Sequence, residues 1–152
     1  MEIQELINQI RDHGYMEGII RDESRIKQTG EFFTPTWLVQ YSLEKIEQFD
    51  PTAFSDKTKT FIDPTCGDGQ LIGEALICKL ENGIDFETAL STIYGVDLMP
   101  DNVKLCQDRL LCGQEHLRHI VEKNIVCANA LTYNYCFGEP ETFGNGLFEV
   151  EA

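Results

Sequence analysis

Seven residues, Asp63-Pro64-Thr65-Cys66-Gly67-Asp68-Gly69, combine two carboxylates flanking a thiol with two glycines. They follow a short β-prone run, Thr60-Phe61-Ile62-Asp63, and lead into a helix-like run from Leu71 to Leu80. That is the position, beyond the carboxyl end of a strand, where a βαβ unit binds its ligand. Glycines at 67 and 69 permit positive φ and let backbone approach a ligand closely. The plain alternative is a βα turn that needs its glycines only to turn. Asp97 closes a second β-prone run, Thr92-Ile93-Tyr94-Gly95-Val96-Asp97, 34 positions after Asp63. A carboxylate there accepts both hydroxyls of a ribose 2′,3′-diol. An isolated acid would serve equally as a favourable charge at a helix N-terminus, but beside a glycine loop the ribose reading is preferred. Asn129 closes a third run, where its amide is able to pair with the edge of an adenine or to form a turn.

These residues need a scaffold. Ile3, Leu6, Ile7 and Ile10 fall at helical spacing, so the first dozen residues predict an amphipathic helix ending near His13-Gly14. Thr34 before Pro35 reads as an N-cap with proline at the first helical position, opening a helix through Val39, Leu43 and Ile46 that Asp50-Pro51 ends. After a linker around Asn82-Gly83 and the second strand, a helix is expected from about Pro100 to Cys112, with Val103, Cys106 and Leu110 on one face. A third strand is expected from Asn124 to Cys127, and Leu147-Phe148-Glu149-Val150 looks like the opening of a fourth. Strands alternating with helices predict a parallel sheet built by right-handed crossovers. The whole reads as one compact unit, with residues 1–50 an N-terminal helical segment and residues 51–152 the ligand-binding subdomain.

The chain has 152 residues, 42% of them apolar, which suits one globular domain. No apolar run is long enough to span a bilayer and the start lacks a basic leader, so a soluble, unsecreted, cytoplasmic protein is expected. With 26 acidic against 12 basic residues the net charge is -14, a field that repels phosphate backbones and argues against tight independent DNA binding. The six cysteines contain no Cys-x-x-Cys pair and are expected to be free thiols. Cys112, His116 and His119 have a spacing that metal sites use, but no fourth ligand is evident, so they read as solvated surface residues and no metal is expected.

The Asp-Pro-x-Cys-Gly-x-Gly signature, Asp97 at a strand end and the Asn129-Ala130 pair together resemble motifs I, II and III of class I S-adenosylmethionine-dependent methyltransferases, specifically the N6-adenine DNA methylases. Gln28-Thr29-Gly30-Glu31-Phe32-Phe33-Thr34-Pro35 is similar to the motif X that precedes motif I in gamma-ordered members, including type I modification subunits. The resemblance covers about residues 25 to 135. It implies a Rossmann-like α/β fold with a partial parallel sheet of about four strands flanked by helices, preceded by N-terminal helices. It implies S-adenosylmethionine as cofactor and restriction-modification of DNA in a prokaryotic or phage-infected cell as the setting. Carried over position by position, it puts Phe33, Thr34 and Pro35 beside the methionine end. Asp63, Cys66, Gly67, Asp68 and Gly69 would form the loop beneath the amino-acid moiety. Asp97 would hold the ribose, Leu98 would pack on the adenine, and Asn129 with Ala130 would read its edge.

The family transfers its methyl group with a fourth motif, Asn-Pro-Pro-Tyr or a close variant, which holds a flipped adenine. No such tetrapeptide occurs in these residues. Phe148-Glu149-Val150 matches the strand that precedes the motif, and the alternative is that Asn145-Gly146-Leu147-Phe148 is a degenerate form of it, which makes Asn145 the weak catalytic candidate. The expectation is a cofactor-binding part that needs a second chain or self-association to cover its sheet edge and catalyse transfer. The competing expectations are a non-catalytic cofactor-binding protein and an acidic interaction protein on the same scaffold.

Overall fold

The chain alternates short β-branched or aromatic runs with helical ones, and the computed structural model builds that alternation into a parallel sheet. It describes residues 1–12 and 34–139. Phe33, most of the 28–35 motif, Asn145 and the strand expected at Leu147–Val150 lie outside the described residues. The elements are α1 (Ile3–Asp12), α2 (Thr36–Phe49), β1 (Phe61–Asp63), α3 (Gln70–Glu81), α4 (Phe86–Ser91), β2 (Ile93–Asp97), α5 (Pro100–Leu111), a 3-10 turn (Glu115–Leu117), α6 (Arg118–Asn124) and β3 (Ile125–Cys127). The strands pair in the order β1-β2-β3, all parallel, with Ile62 opposite Tyr94 and Val96 opposite Val126.

Helix α3 is the hub. From Ile72 to Ile77 every residue is buried, with Lys79 and Leu80 beyond, because α3 packs against α1, α2 and α4 as well as β1 and β2. A helix enclosed on so many sides has no polar stripe to show. Gly73 lets α1 come close, since a Cβ there would stand 3.1 Å from Ile10 Cγ2. Leu6, Ile7 and Ile10 of α1 and Val39 and Leu43 of α2 join the same core as Leu76, Leu90, Leu110 and Ile125. The N-terminal helices are therefore packed into the core that supports the strands.

Several local expectations need correction. Helix α2 begins at Thr36, one residue later than the Thr34 cap implies: Pro35 is the flanking residue, in extended conformation, and among the described residues no side chain caps the helix. The Pro35 carbonyl accepts from the Leu38 and Val39 amides at 3.0 and 3.1 Å, the first turn of the helix. Ile46 and Ile3 are on exposed faces. Two short helices, α4 and α6, interrupt segments expected as connections. Asp85 caps α4 by accepting from the Thr88 amide at 2.9 Å, a local signal that six residues of periodicity were too few to strengthen. Three strands are present among the described residues, and the fourth one expected, at Leu147–Val150, lies outside them.

After β3 the chain lays Tyr133, Tyr135 and Phe137 together against Tyr94 of β2, the Tyr94 and Phe137 rings lying 4.7 Å apart. Tyr135 and Phe137 have positive φ, 55° and 45°, a conformation that bulky residues seldom adopt. Two bonds hold the turn: Tyr133 Oη accepts from the Phe137 amide at 3.0 Å, and Tyr135 Oη donates to the Ala130 carbonyl at 2.7 Å.

Candidate functional site

Each strand delivers one loop to the same end of the sheet. In the first, the Asp63 carboxylate folds back to accept the Thr65 amide and hydroxyl at 2.9 and 3.3 Å. The Cys66 amide then donates to the Val96 carbonyl at 2.9 Å, pinning the loop across β2. Gly67 and Gly69 take φ of 55° and 91°. Gly69 is required twice over, because a Cβ there would stand 2.8 Å from Cys106 Sγ. Gly95, in the middle of β2, makes room for the loop: a Cβ on it would lie 2.9 Å from Cys66 Sγ. Glycine inside a strand is the usual sign of such close approach, and that signal marks Gly95 as a site-shaping residue that motif matching passed over.

Asp97 ties the first two loops together. Its Oδ2 accepts the Gly67 amide at 3.0 Å, while Oδ1 accepts the Met99 amide at 2.9 Å and Asn102 Nδ2 at 3.0 Å. Asn129 makes a similar turn in the third loop, its Oδ1 accepting the Leu131 amide at 2.9 Å. With that oxygen committed, the NH2 group is the donor left for a ligand.

The loops and the start of α2 enclose a cavity of about 750 Å3, within the range of small-molecule sites. Of the residues singled out in the sequence, Thr34 lines it on the α2 side, and Asp63, Cys66, Gly67 and Asp68 line it from the first loop. Asp97 and Leu98 come from the second loop, Asn129 and Ala130 from the third. Pro35 and Gly69 are not among the residues that line it. Leu38, Gln70, Met99 and Leu131 also line it, and no motif pointed to them. Leu98 and Leu131 are 56% and 94% exposed, an apolar rim suited to a flat ring.

Burial holds the Asp63 carboxyl above its ordinary value, and the nearby charge of Asp97 adds to the effect. A hydrogen bond with the Cys106 thiol, then burial, push the Cys66 thiol well up, which disfavours a thiolate at this position in the cavity lining. Asp68 is buried and its Oδ1, 3.6 Å from Arg109 Nη1, is the one buried side-chain polar atom without a hydrogen bond among the described residues. Arg109 of α5 is itself buried and gives three further bonds, to the Ile10 carbonyl at 2.8 Å, the Asp68 carbonyl at 3.3 Å and Gln70 Oε1 at 2.9 Å. The sequence offered no sign of this arginine beyond its place on a helix.

Cys112 is buried, contrary to the surface position expected for it, and its thiol points at the Leu6 and Arg109 carbonyls. Burial raises its pKa to about 12, while His116 and His119 are exposed. Among the described residues no three His, Cys, Asp or Glu side chains gather as a metal site. All six cysteines are free. No helix of the described residues is long and apolar enough to cross a membrane.

A cavity at the carboxyl ends of parallel strands, floored by a glycine loop that a strand-ending acid ties down, defines a Rossmann-like α/β protein of the methyltransferase type. The family model for N-6 DNA methylases matches residues 15–139, and the chain belongs to that family. No curated protein and no solved structure matches it.

Proposed function

We propose that the chain is the S-adenosylmethionine-binding part of a DNA adenine-N6 methyltransferase. The observation that carries this reading is the convergence of the glycine loop, Asp97 and Asn129 on one cavity of nucleoside-cofactor size. The residues fit the cofactor's chemistry. Glycines let backbone lie against its amino-acid end, Asp97 has acceptor capacity beside a diol, and Leu98 and Leu131 offer apolar surface to an adenine. The bound cofactor would supply an electrophilic methyl group. The chain's own part is to orient it and shield it with α2.

Transfer to adenine needs a group that holds the target amine, and no Asn-Pro-Pro-Tyr-like tetrapeptide occurs in residues 1–152. We propose that this group comes from sequence outside these residues, supplied by a partner segment or chain. Among the described residues the outer edge of β1 has no neighbouring strand and Ile62 is 43% exposed, and there such a partner would complete the sheet. A net charge of -14 favours weak direct contact with DNA, so the partner would also supply the phosphate contacts.

Calorimetric titration with S-adenosylmethionine tests the cofactor reading. One saturating site is expected, weakened by Leu98→Asp, whose exposed position leaves folding intact. Absence of heat at millimolar cofactor with a folded protein would overturn it in favour of an acidic interaction protein on this scaffold.

A further inference from the structure

Gln70, the first residue of α3, is held from both ends of its amide. Its Oε1 accepts from Arg109 Nη2 at 2.9 Å, and its Nε2 donates to Thr36 Oγ1 at 2.7 Å. Arg109 is the fixed end of this chain of contacts. It is buried, and its bonds to the Ile10 and Asp68 carbonyls join α1 to the glycine loop. Thr36 is the exposed end. It is the first residue of α2, whose flanking Pro35 gives no side-chain cap and whose Leu38 and Val39 line the cavity. A helix start without a cap is easily frayed, so an outside tether there has a large influence on where the helix begins.

We propose that Gln70 is a positioning residue, transmitting the fixed position of Arg109 and the glycine loop to the start of α2 and so setting that helix end over the part of the cavity the β1 loop forms. The inference rests on the cofactor reading above. It deepens that reading by assigning a role to a residue outside the family motifs. Only the amide has the right two ends: an acceptor for the guanidinium and a donor for the hydroxyl oxygen. Glutamate would keep the first contact, and alanine would lose both. The effect should also be confined to one part of the ligand. Gln70 directly follows the β1 loop and bonds Thr36, whereas Asn129 and Leu131 belong to the loop after β3, so the amino-acid moiety should depend on Gln70 and Thr36 and the adenine should not.

Arg109→Ala would leave the Asp68 carboxylate buried without its cation and risks unfolding the chain, so the test uses Gln70→Ala, Gln70→Glu and Thr36→Ala in the full chain. A neutral, partly exposed hydrogen bond is worth roughly a two- to tenfold change in an equilibrium. Gln70→Ala and Thr36→Ala are expected to weaken S-adenosylmethionine binding by about fivefold, with the double variant no worse than either single one. Binding of 5′-methylthioadenosine, which lacks the amino-acid moiety, should not change. Hydrogen exchange at the Leu38 and Val39 amides should quicken in the free protein by a similar factor, with α6 unaffected. Unchanged exchange and affinity in Gln70→Ala would overturn the proposal, as would an equal loss for both ligands with a lower melting temperature. Failure of the unaltered chain to bind either ligand would overturn the cofactor reading, and Gln70's role in it, even if exchange at α2 responds.

Discussion

Replacing Asp97 with alanine removes an acceptor that three donors share: the Gly67 amide, the Met99 amide and Asn102 Nδ2, at 3.0, 2.9 and 3.0 Å. Hydrogen bonds to a charged acceptor contribute about 1.5–3 kcal/mol each when the donors are left dry. Asp97 is only half-buried, so water can reach some of the orphaned donors and the lower end applies. The expected loss is about 2–4 kcal/mol, a sizeable part of the roughly 5–15 kcal/mol that holds a domain folded. For a chain of this size that corresponds to a fall in melting temperature of about 5–15 °C. Asp97→Asn keeps one oxygen for Met99 and Asn102 but turns an NH2 group toward the Gly67 amide, so it should cost about half as much. Urea denaturation monitored by Trp37 fluorescence and circular dichroism measures both variants. A urea midpoint unchanged in Asp97→Ala would refute the claim that this carboxylate braces the two loops. A large loss of cofactor affinity with that unchanged midpoint would instead assign Asp97 wholly to ribose binding.

Gly69→Ala must adopt a φ of 91° and place its Cβ 2.8 Å from Cys106 Sγ; together these should cost about 2–4 kcal/mol in chemical denaturation. Adding Cys106→Ala should recover only the steric share. Asp63 has its carboxyl raised by burial and by Asp97, so between the unfolded-state pKa and that higher folded value the native state binds more protons. Stability therefore falls as pH rises through that window, and Asp63→Asn should be more stable than the unaltered chain at neutral pH, with the advantage vanishing as pH drops below the unfolded-state pKa; thermal melts across pH check it. Native protein at pH 8 should be alkylated first at exposed Cys127, with Cys66 and Cys112, both buried and raised in pKa, protected until unfolding; peptide mapping by mass spectrometry reads the order.

The parts legible in the sequence share one property: their signal is local. The strand, glycine loop and helix around residues 61–81, the acid ending β2 and the turn at Asn129 depend on neighbours a few positions away, and the structure puts all three strand ends around one cavity. Helices α4 and α6 were missed because six or seven residues hold too little periodicity to stand out. The aromatic patch at Tyr133, Tyr135 and Phe137 was missed because its backbone is irregular and its partner, Tyr94, is some 40 positions away.

By itself the sequence determined the class of fold, the loop that must be glycine-rich and the family motifs, since these follow from backbone geometry and short-range spacing. Only the tertiary structure decided that Gly95 must be small for Cys66 to fit, that Asp97 braces Gly67 as well as facing the cavity, and that Arg109 joins α1, the loop and Gln70. Those relations link residues up to 99 positions apart. Their side chains meet because burying the apolar faces of α1, α3 and α5 in one core brings them within hydrogen-bond reach, a distance that no local pattern encodes.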